Sequence, residues 1–252
     1  MSLEGQVVLI TGGTRGIGRA IALRLAKEKP KHIVAAYCMN HEAARATVAD
    51  LEAVGVEATR LVVDVGDEQM MRQMFETVRA KFGRLDILIS NAARTAFHPG
   101  ATLAMRSWQR IQEMNSHAFL LGAQLAAGIM RENGGGRIIG ISSLGSRYYV
   151  PNYAGLGAAK AAIEALARYL AVEFAVWNIN VNVVCAGLID SDAVRMLPDY
   201  RQVMNQVAER VPVKRVGRPE DVAGVVALLC HPDSDWIRGQ TIVADGGYSL
   251  IG

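Results

Sequence analysis

The stretch Val7-Val8-Leu9-Ile10-Thr11-Gly12-Gly13-Thr14-Arg15-Gly16-Ile17-Gly18 decides the fold. Its apolar, β-branched opening suits a strand covered on both faces, predicted over Gln6–Ile10. A glycine-rich turn follows, and beyond Gly18 a helical period runs until just before Pro30. In that context Gly12, Gly16 and Gly18 allow a tight turn and close approach of a pyrophosphate to the free N–H groups of the helix, with Thr14, Arg15 and Ile17 in the same turn. A glycine string alone is a weak signal. Placed between the first strand and the first helix, it marks a candidate dinucleotide site.

Working outward, short β-rich runs recur at His32–Ala36, Arg60–Val63, Ile87–Ser90, Arg137–Ile141, Asn180–Val184 and Thr241–Val243. Helix-period segments lie between them: Glu42–Val54, Asp67–Phe82 with Gly83 as its stop, and two long ones, Ser107–Glu132 and Asn152–Val176. This alternation predicts an α/β fold, a Rossmann-type doubly wound parallel sheet of about seven strands with helices on both faces. No repeat or linker divides the chain, so residues 1–252 read as one domain. From about 190 to 219 the rhythm breaks, with Pro198 and Pro212 and no clear strand. That stretch follows the sixth strand at the ligand-binding edge and reads either as a substrate lid or as an ordinary long surface loop.

The composition excludes other classes. In 252 residues, 51% are hydrophobic and 20% charged, so a large core can form and disorder is excluded. The net charge is only +3, without runs of like charge, which argues against a nucleic-acid binder. Cys38, Cys185 and Cys230 lack pairing or metal-ligand spacing and read as reduced, packed thiols. The start MSLEGQVVLITGG lacks the marks of a signal peptide, and the longest apolar stretch, Ala118 to Met130, is too short to span a bilayer. A cytoplasmic protein is expected, without metal.

The end of the second strand discriminates between dinucleotides. A carboxylate there binds the ribose hydroxyls of NAD, whereas this chain has Tyr37-Cys38-Met39-Asn40-His41. With Arg15 in the glycine turn to meet a phosphate, NADPH is expected. The alternative is that Arg15 is a solvated charge and both cofactors bind.

Further motifs are Asp64-Val65, Asn91-Ala92-Ala93, Asn115, Ser142-Ser143, Lys160 and Arg238-Gly239-Gln240 through Asp245-Gly246-Gly247. In this order and spacing the chain resembles the short-chain dehydrogenase/reductase family over essentially its whole length. The resemblance implies a homo-oligomeric NAD(P)-dependent oxidoreductase. It places Gly12, Thr14, Arg15, Gly16, Ile17, Gly18, Asp64, Val65, Asn91, Ala92, Lys160 and Ile189 at the cofactor, and Tyr153, Lys160, Ser143 and Asn115 at the chemistry.

One position departs from the family pattern. The usual acid, a tyrosine four residues before the lysine, is here Leu156, and Tyr153 stands seven before Lys160. Offsets of four and seven return to nearly the same helix face, but seven carries the phenol one further turn, about 5 Å, away. An acid so displaced fits conjugate reduction, in which hydride enters two bonds beyond the carbonyl carbon. Tyr153 then hydrogen-bonds the thioester oxygen as an enolate develops, and Lys160 holds the nicotinamide ribose.

The run Ser142-Ser143-Leu144-Gly145-Ser146-Arg147-Tyr148-Tyr149-Val150-Pro151-Asn152-Tyr153, with Glu164-Ala165-Leu166 and Arg168-Tyr169, resembles the NADPH-dependent type III enoyl-[acyl-carrier-protein] reductases of fatty-acid synthesis. The implied reaction is reduction of a trans-2-enoyl thioester to the saturated thioester. Alternatives are a carbonyl or hydroxyl oxidoreductase acting on 3-oxoacyl, steroid or sugar substrates, and a non-catalytic NADP(H)-binding protein. Ser143 either bonds substrate or caps the loop. Asn115 either holds a water linked to the lysine or satisfies local backbone, and Tyr148 and Tyr149 are expected to line the acyl pocket.

Two association surfaces are expected. Alanine-rich faces on the long helices suit a symmetric homo-oligomer, or are merely neutral exposed faces, and the family resemblance implies a homotetramer, or a dimer. Residues 195–218 carry six basic side chains (Arg195, Arg201, Arg210, Lys214, Arg215, Arg218) against Asp199 and Glu209. That run reads either as a rim that steers an acidic acyl carrier protein or as a solvated face.

Overall fold

The computed structural model describes residues 2–94, 97–195 and 199–251, apart from the side chains of Asp192 and Ala193. Pro198 therefore lies outside the described residues. Seven strands, β1 (Val7–Thr11), β2 (His32–Tyr37), β3 (Glu57–Val62), β4 (Ile87–Ser90), β5 (Gly136–Ser143), β6 (Ile179–Ala186) and β7 (Thr241–Ala244), form one sheet in the order β3-β2-β1-β4-β5-β6-β7. Every pairing is parallel. The order reverses between β1 and β4, and the carboxyl ends of those strands open the crevice expected of a doubly wound sheet.

The apolar strand residues sort by alternation onto two faces. Val7 and Leu9 pack with Met71 and Phe75 of α3 (Glu68–Phe82), Phe119 and Ala123 of α5 (Ala118–Met130), and Ile163 and Ala167 of α6 (Ala154–Glu173). Val8 and Ile10 pack on the other face with Ile21 and Leu25 of α1 (Gly16–Ala26), Leu51 of α2 (His41–Ala53) and Val222 and Val226 of α9 (Pro219–Leu229). Each fully buried Leu, Ile or Phe contributes roughly 1.5–3 kcal/mol, so the two layers together fix the sheet between them. Asp67 caps α3 by accepting from Met70 N–H at 3.0 Å, and Gly83 closes it at φ 69°.

Three expectations change. The segment expected as one helix over Ser107–Glu132 is two, α4 (Met105–Gln112) and α5, joined by a wider π-helical turn at Glu113–His117. Among its described residues the 190–219 stretch is largely helical, with α7 (Asp192–Arg195) and α8 (Tyr200–Arg210), and a bridge between Ile189 and Gly217 ties its two ends together. Helix α9 begins with Pro219 at its first turn, where a missing N–H costs nothing, and Asp221 accepts from the Arg218 N–H at 2.7 Å. Cys185 and Cys230 are buried, but Cys38 is exposed because the chain has left the sheet one residue earlier. Among the described residues no helix is long and apolar enough to cross a membrane.

Candidate active site

The glycine turn and the end of β4 are stitched across the switch point. Asn91 Nδ2 donates to the carbonyls of Thr11 (3.0 Å) and Gly12 (3.1 Å), and Thr11 Oγ1 accepts the N–H groups of Asn91 and Ala92, both at 3.1 Å. Gly12 sits at φ 64°, and a Cβ there would stand 2.9 Å from Asn91 Nδ2. A Cβ on Gly18 would overlap the Gly12 carbonyl. Both positions need glycine for the chain to pass this closely. Arg15, the N-cap of α1, makes no side-chain capping bond, so the first helical N–H groups remain available to an anion. Gly16, at φ 51°, faces Ser191 at the start of the 190–219 segment. A dinucleotide pyrophosphate fits this cradle.

Other expected cofactor residues contribute differently. Val65 and Ile189 are buried in the two core layers, so only their backbone faces a ligand, while Thr14 is buried and its carbonyl accepts from Thr47 Oγ1 at 3.0 Å. Ile17 and Ala92 pack partly against the core. The Asp64 carboxylate is taken by Arg110 Nη2 (2.5 Å) and the Gly66 N–H (2.9 Å), a pairing from α4 that sequence reading missed. At the end of β2, Tyr37 Oη meets His41 Nδ1 at 2.8 Å and accepts from Arg60 Nη1 at 3.3 Å.

Tyr153 is not on a helix turn. It is the N-cap of α6, at φ −103° and ψ 6°, and its carbonyl accepts the first helical bond from Gly157 N–H at 2.7 Å. Its ring lies in a slot made by two glycines: a Cβ on Gly145 would overlap Cδ1 and Cε1 of the ring, and one on Gly157 would stand 2.5 Å from the Gly145 carbonyl. The ring of Phe97 packs on it with centroids 5.8 Å apart. Burial raises the Tyr153 phenol above its ordinary pKa, while a hydrogen bond with Ser143 works in the opposite direction. Ser143 Oγ also accepts the Gly145 N–H at 3.4 Å, so it bonds the phenol and caps the loop at once.

Lys160 is buried and donates to the Ile141 carbonyl at 2.8 Å; burial lowers its pKa to about 8. Cys185, beside both Lys160 and Tyr153, is pushed up to about 11 by burial and stays a thiol. Asn115 sits in the π-helical turn, where Nδ2 donates to the Ile111 carbonyl at 2.8 Å and Oδ1 is buried with no partner among the described residues. Leu156 packs with Ile111 and Ala159 in a small apolar cluster against Tyr153. Tyr148 and Tyr149, expected in the acyl pocket, are exposed, because they lie in the loop ahead of α6.

Glu164, one turn beyond Lys160, is a further residue that sequence reading did not assign. Its buried carboxylate accepts from Ser142 Oγ (2.7 Å), Ser146 Oγ (2.6 Å) and Arg147 Nε (3.1 Å). It thereby clamps the loop that carries Ser143 and Gly145.

The basic run of the 190–219 segment is compensated in part. Arg195 pairs with Asp190 at 3.0 Å, Arg215 with Asp221 at 2.6 Å, and Lys214 donates to the Glu209 carbonyl at 2.7 Å. Extending the window to 190–221 gives six basic and six acidic residues, so the excess seen over 195–218 disappears.

A parallel sheet with a glycine cradle at its switch point, and beside it a half-buried Tyr153 and Ser143 with a buried Lys160 and Asn115, defines a dinucleotide-dependent oxidoreductase. A family model described as enoyl-(acyl carrier protein) reductase matches residues 12–249, and the chain belongs to the short-chain dehydrogenase/reductase family, whose members bind NAD(P). It is 42% identical over 248 residues to the 1-cyclohexenylcarbonyl-CoA reductase of Streptomyces collinus, covering 98% of this chain and 88% of that one. A 7α-hydroxysteroid dehydrogenase solved with NADH and a 7-oxo bile acid superposes with TM-score 0.92 at 30% identity, covering 98% of this chain and 95% of that one. A Beutenbergia cavernae chain with bound NADP, assigned to NAD(P)-dependent gluconate 5-dehydrogenation, superposes with TM-score 0.93 at 27% identity, covering 99% of both.

Proposed function

We propose that this chain reduces the carbon–carbon double bond of α,β-unsaturated acyl thioesters, with NADPH as reductant, as an enoyl-[acyl-carrier-protein] reductase of type III character. One observation carries the reading. The half-buried phenol of Tyr153 is seated at the N-cap of α6 while Leu156, at the family's usual acid position, is locked in an apolar cluster. The named activity of the Streptomyces relative, on a thioester whose ring double bond is conjugated to the carbonyl, supports it.

Gly12, Thr14, Arg15, Gly16, Gly18, Asn91 and Lys160 hold the cofactor, which when bound supplies hydride. Arg15, with no carboxylate from Tyr37 to His41, favours a 2′-phosphate. The Tyr153 hydroxyl donates to the thioester oxygen as negative charge develops on it. Burial keeps the phenol protonated and suits it to donate, and Ser143 orients it. The Lys160 charge, when present, stabilises the same developing anion. The unpartnered Oδ1 of Asn115 serves as acceptor for a water in proton delivery. The 190–219 segment closes over the acyl chain, and the chain assembles as a homotetramer or dimer through α5 and α6.

The deciding experiment compares NADPH oxidation with crotonyl and acetoacetyl thioesters. Preference for crotonyl is expected, with Tyr153→Phe reducing kcat by roughly 10²–10⁴-fold while NADPH binding is retained. Preferential turnover of the acetoacetyl substrate would overturn the reading. NADPH binding without turnover of either would favour a non-catalytic protein.

The acyl carrier is a separate question. We read it as an acyl carrier protein, with exposed Arg201 as its contact. Arg201→Glu should then raise KM for carrier-protein substrates more than for coenzyme A thioesters, and equal effects on both would remove that contact.

A further inference from the structure

Glu164 lies in α6, two turns beyond Gly157, and its buried carboxylate gathers the loop that leaves β5. One oxygen, Oε1, accepts from both Ser142 Oγ (2.7 Å) and Ser146 Oγ (2.6 Å), while Oε2 accepts from Arg147 Nε (3.1 Å). Ser142 belongs to the strand, and Ser146 closes the single 3₁₀ turn, Leu144–Ser146, that follows it. The carboxylate therefore grips the loop on both sides of residues 143–145. A buried ion stripped of its partners is costly, so this donor set holds its geometry firmly.

The bracketed residues seat Tyr153. Ser143 bonds the phenol and accepts the Gly145 N–H at 3.4 Å, and Gly145 is the floor of the slot, where a Cβ would overlap Cδ1 and Cε1 of the ring. The Gly145 carbonyl also abuts the first turn of α6, since a Cβ on Gly157 would stand 2.5 Å from it. Helix α6 thus meets the loop twice, at Gly157 and again at Glu164. Its own N-cap residue, Tyr153, is held between helix and loop.

We propose that Glu164 is a positioning residue for the reduction: through Ser142, Ser146 and Arg147 it fixes the Ser143–Gly145 loop, and with it the direction of the Tyr153 hydroxyl. The inference rests on Tyr153 being the proton donor to the thioester. None of the donors to the carboxylate is Tyr153, Ser143 or Lys160, so its effect reaches the phenol through the loop. A carboxylate that only supported the fold would add stability and leave the ring where it is.

The test uses the full-length protein at a temperature where every variant is folded, with NADPH and whichever of the crotonyl and acetoacetyl thioesters the unaltered protein prefers. Glu164→Gln keeps an acceptor for the two hydroxyls but sets an amide against Arg147, and Ser146→Ala frees the far side of the loop alone. Each should lower kcat about five- to tenfold and leave KM and NADPH affinity within about twofold, because a small displacement of the acid costs rate rather than binding. In a Tyr153→Phe background Glu164→Gln should change the residual turnover less than about twofold, so that the two substitutions are strongly non-additive.

The ring itself gives a readout that does not depend on turnover. In protein carrying ¹³C in its tyrosine rings, the Tyr153 resonance, identified by its loss in Tyr153→Phe, should shift or broaden in both Glu164→Gln and Ser146→Ala. Unchanged kcat in both variants, an unmoved Tyr153 resonance, or a rate loss from Glu164→Gln that persists in full without the phenol would each overturn the proposal. If Tyr153→Phe turns over as fast as the unaltered protein, the assignment of the acid fails instead, and the resonance alone decides whether Glu164 holds the ring.

Discussion

Gly145 lies so close beneath the ring of Tyr153 that a side chain at 145 would occupy the same space as Cδ1 and Cε1 of the phenol. The position of the acid is therefore set by an absence of atoms at Gly145. Gly145→Ala should displace the ring and lower kcat for enoyl thioesters at least about tenfold, with NADPH affinity little changed because the glycine cradle of β1 is remote. Stopped-flow turnover beside a fluorescence titration of NADPH checks both halves.

Burial of Lys160 gives a pH prediction. Its folded-state pKa is lowered from 10.5 to about 8, so the ammonium is lost as pH rises through about 8. If that charge stabilises the developing anion, kcat/KM falls on the alkaline side near this value rather than near the ordinary 10.5. A profile flat to well above it would remove Lys160 from that role.

The same shift has a stability consequence of opposite sign. Between about 8 and 10.5 the unfolded lysine binds more protons than the folded one, so stability rises with pH across that window. Below it the buried charge costs on the order of 3 kcal/mol net. Lys160→Met should accordingly melt higher at neutral pH while losing most turnover, measured by calorimetry and NADPH oxidation.

Glu164 holds Ser142, Ser146 and Arg147 together, and its removal leaves the buried Ser142 hydroxyl and the half-buried Ser146 hydroxyl without that acceptor. Glu164→Leu should lose about 2–4 kcal/mol in denaturant unfolding, and Glu164→Gln, which keeps an acceptor oxygen, clearly less. Equal losses would show that packing, not the clamp, is at stake.

Arg15 bears on cofactor choice. A charge-assisted bond to phosphate contributes about 1.5–3 kcal/mol, so Arg15→Ala should weaken NADPH by roughly ten- to a hundredfold and NADH far less. Parallel titrations with the two cofactors measure the ratio, and equal weakening would leave the 2′-phosphate to other residues.

Much of this molecule was legible in the chain. The layers, the parallel order and the dinucleotide turn follow from apolar strands alternating with helical periods, because those signals are local and each element must bury its own apolar face. Asp67 and Gly83 bounded α3 by their own chemistry. The π-helical turn at Glu113–His117 was hidden, since a widened turn keeps the apolar character of the helices around it.

By itself the sequence determined the fold, the glycine cradle and the departure of Leu156 and Tyr153 from the usual spacing. Only the tertiary structure decided how Tyr153 is held, because the slot joins glycines from a loop and from a helix, and how the charges near α8 are balanced, because Arg195 and Arg215 find partners outside the run in which they were counted. It also brought Ser142, Ser146 and Arg147, from the end of a strand and the loop after it, onto Glu164 of α6. Contacts of that kind depend on which elements meet in space, and no local pattern encodes them.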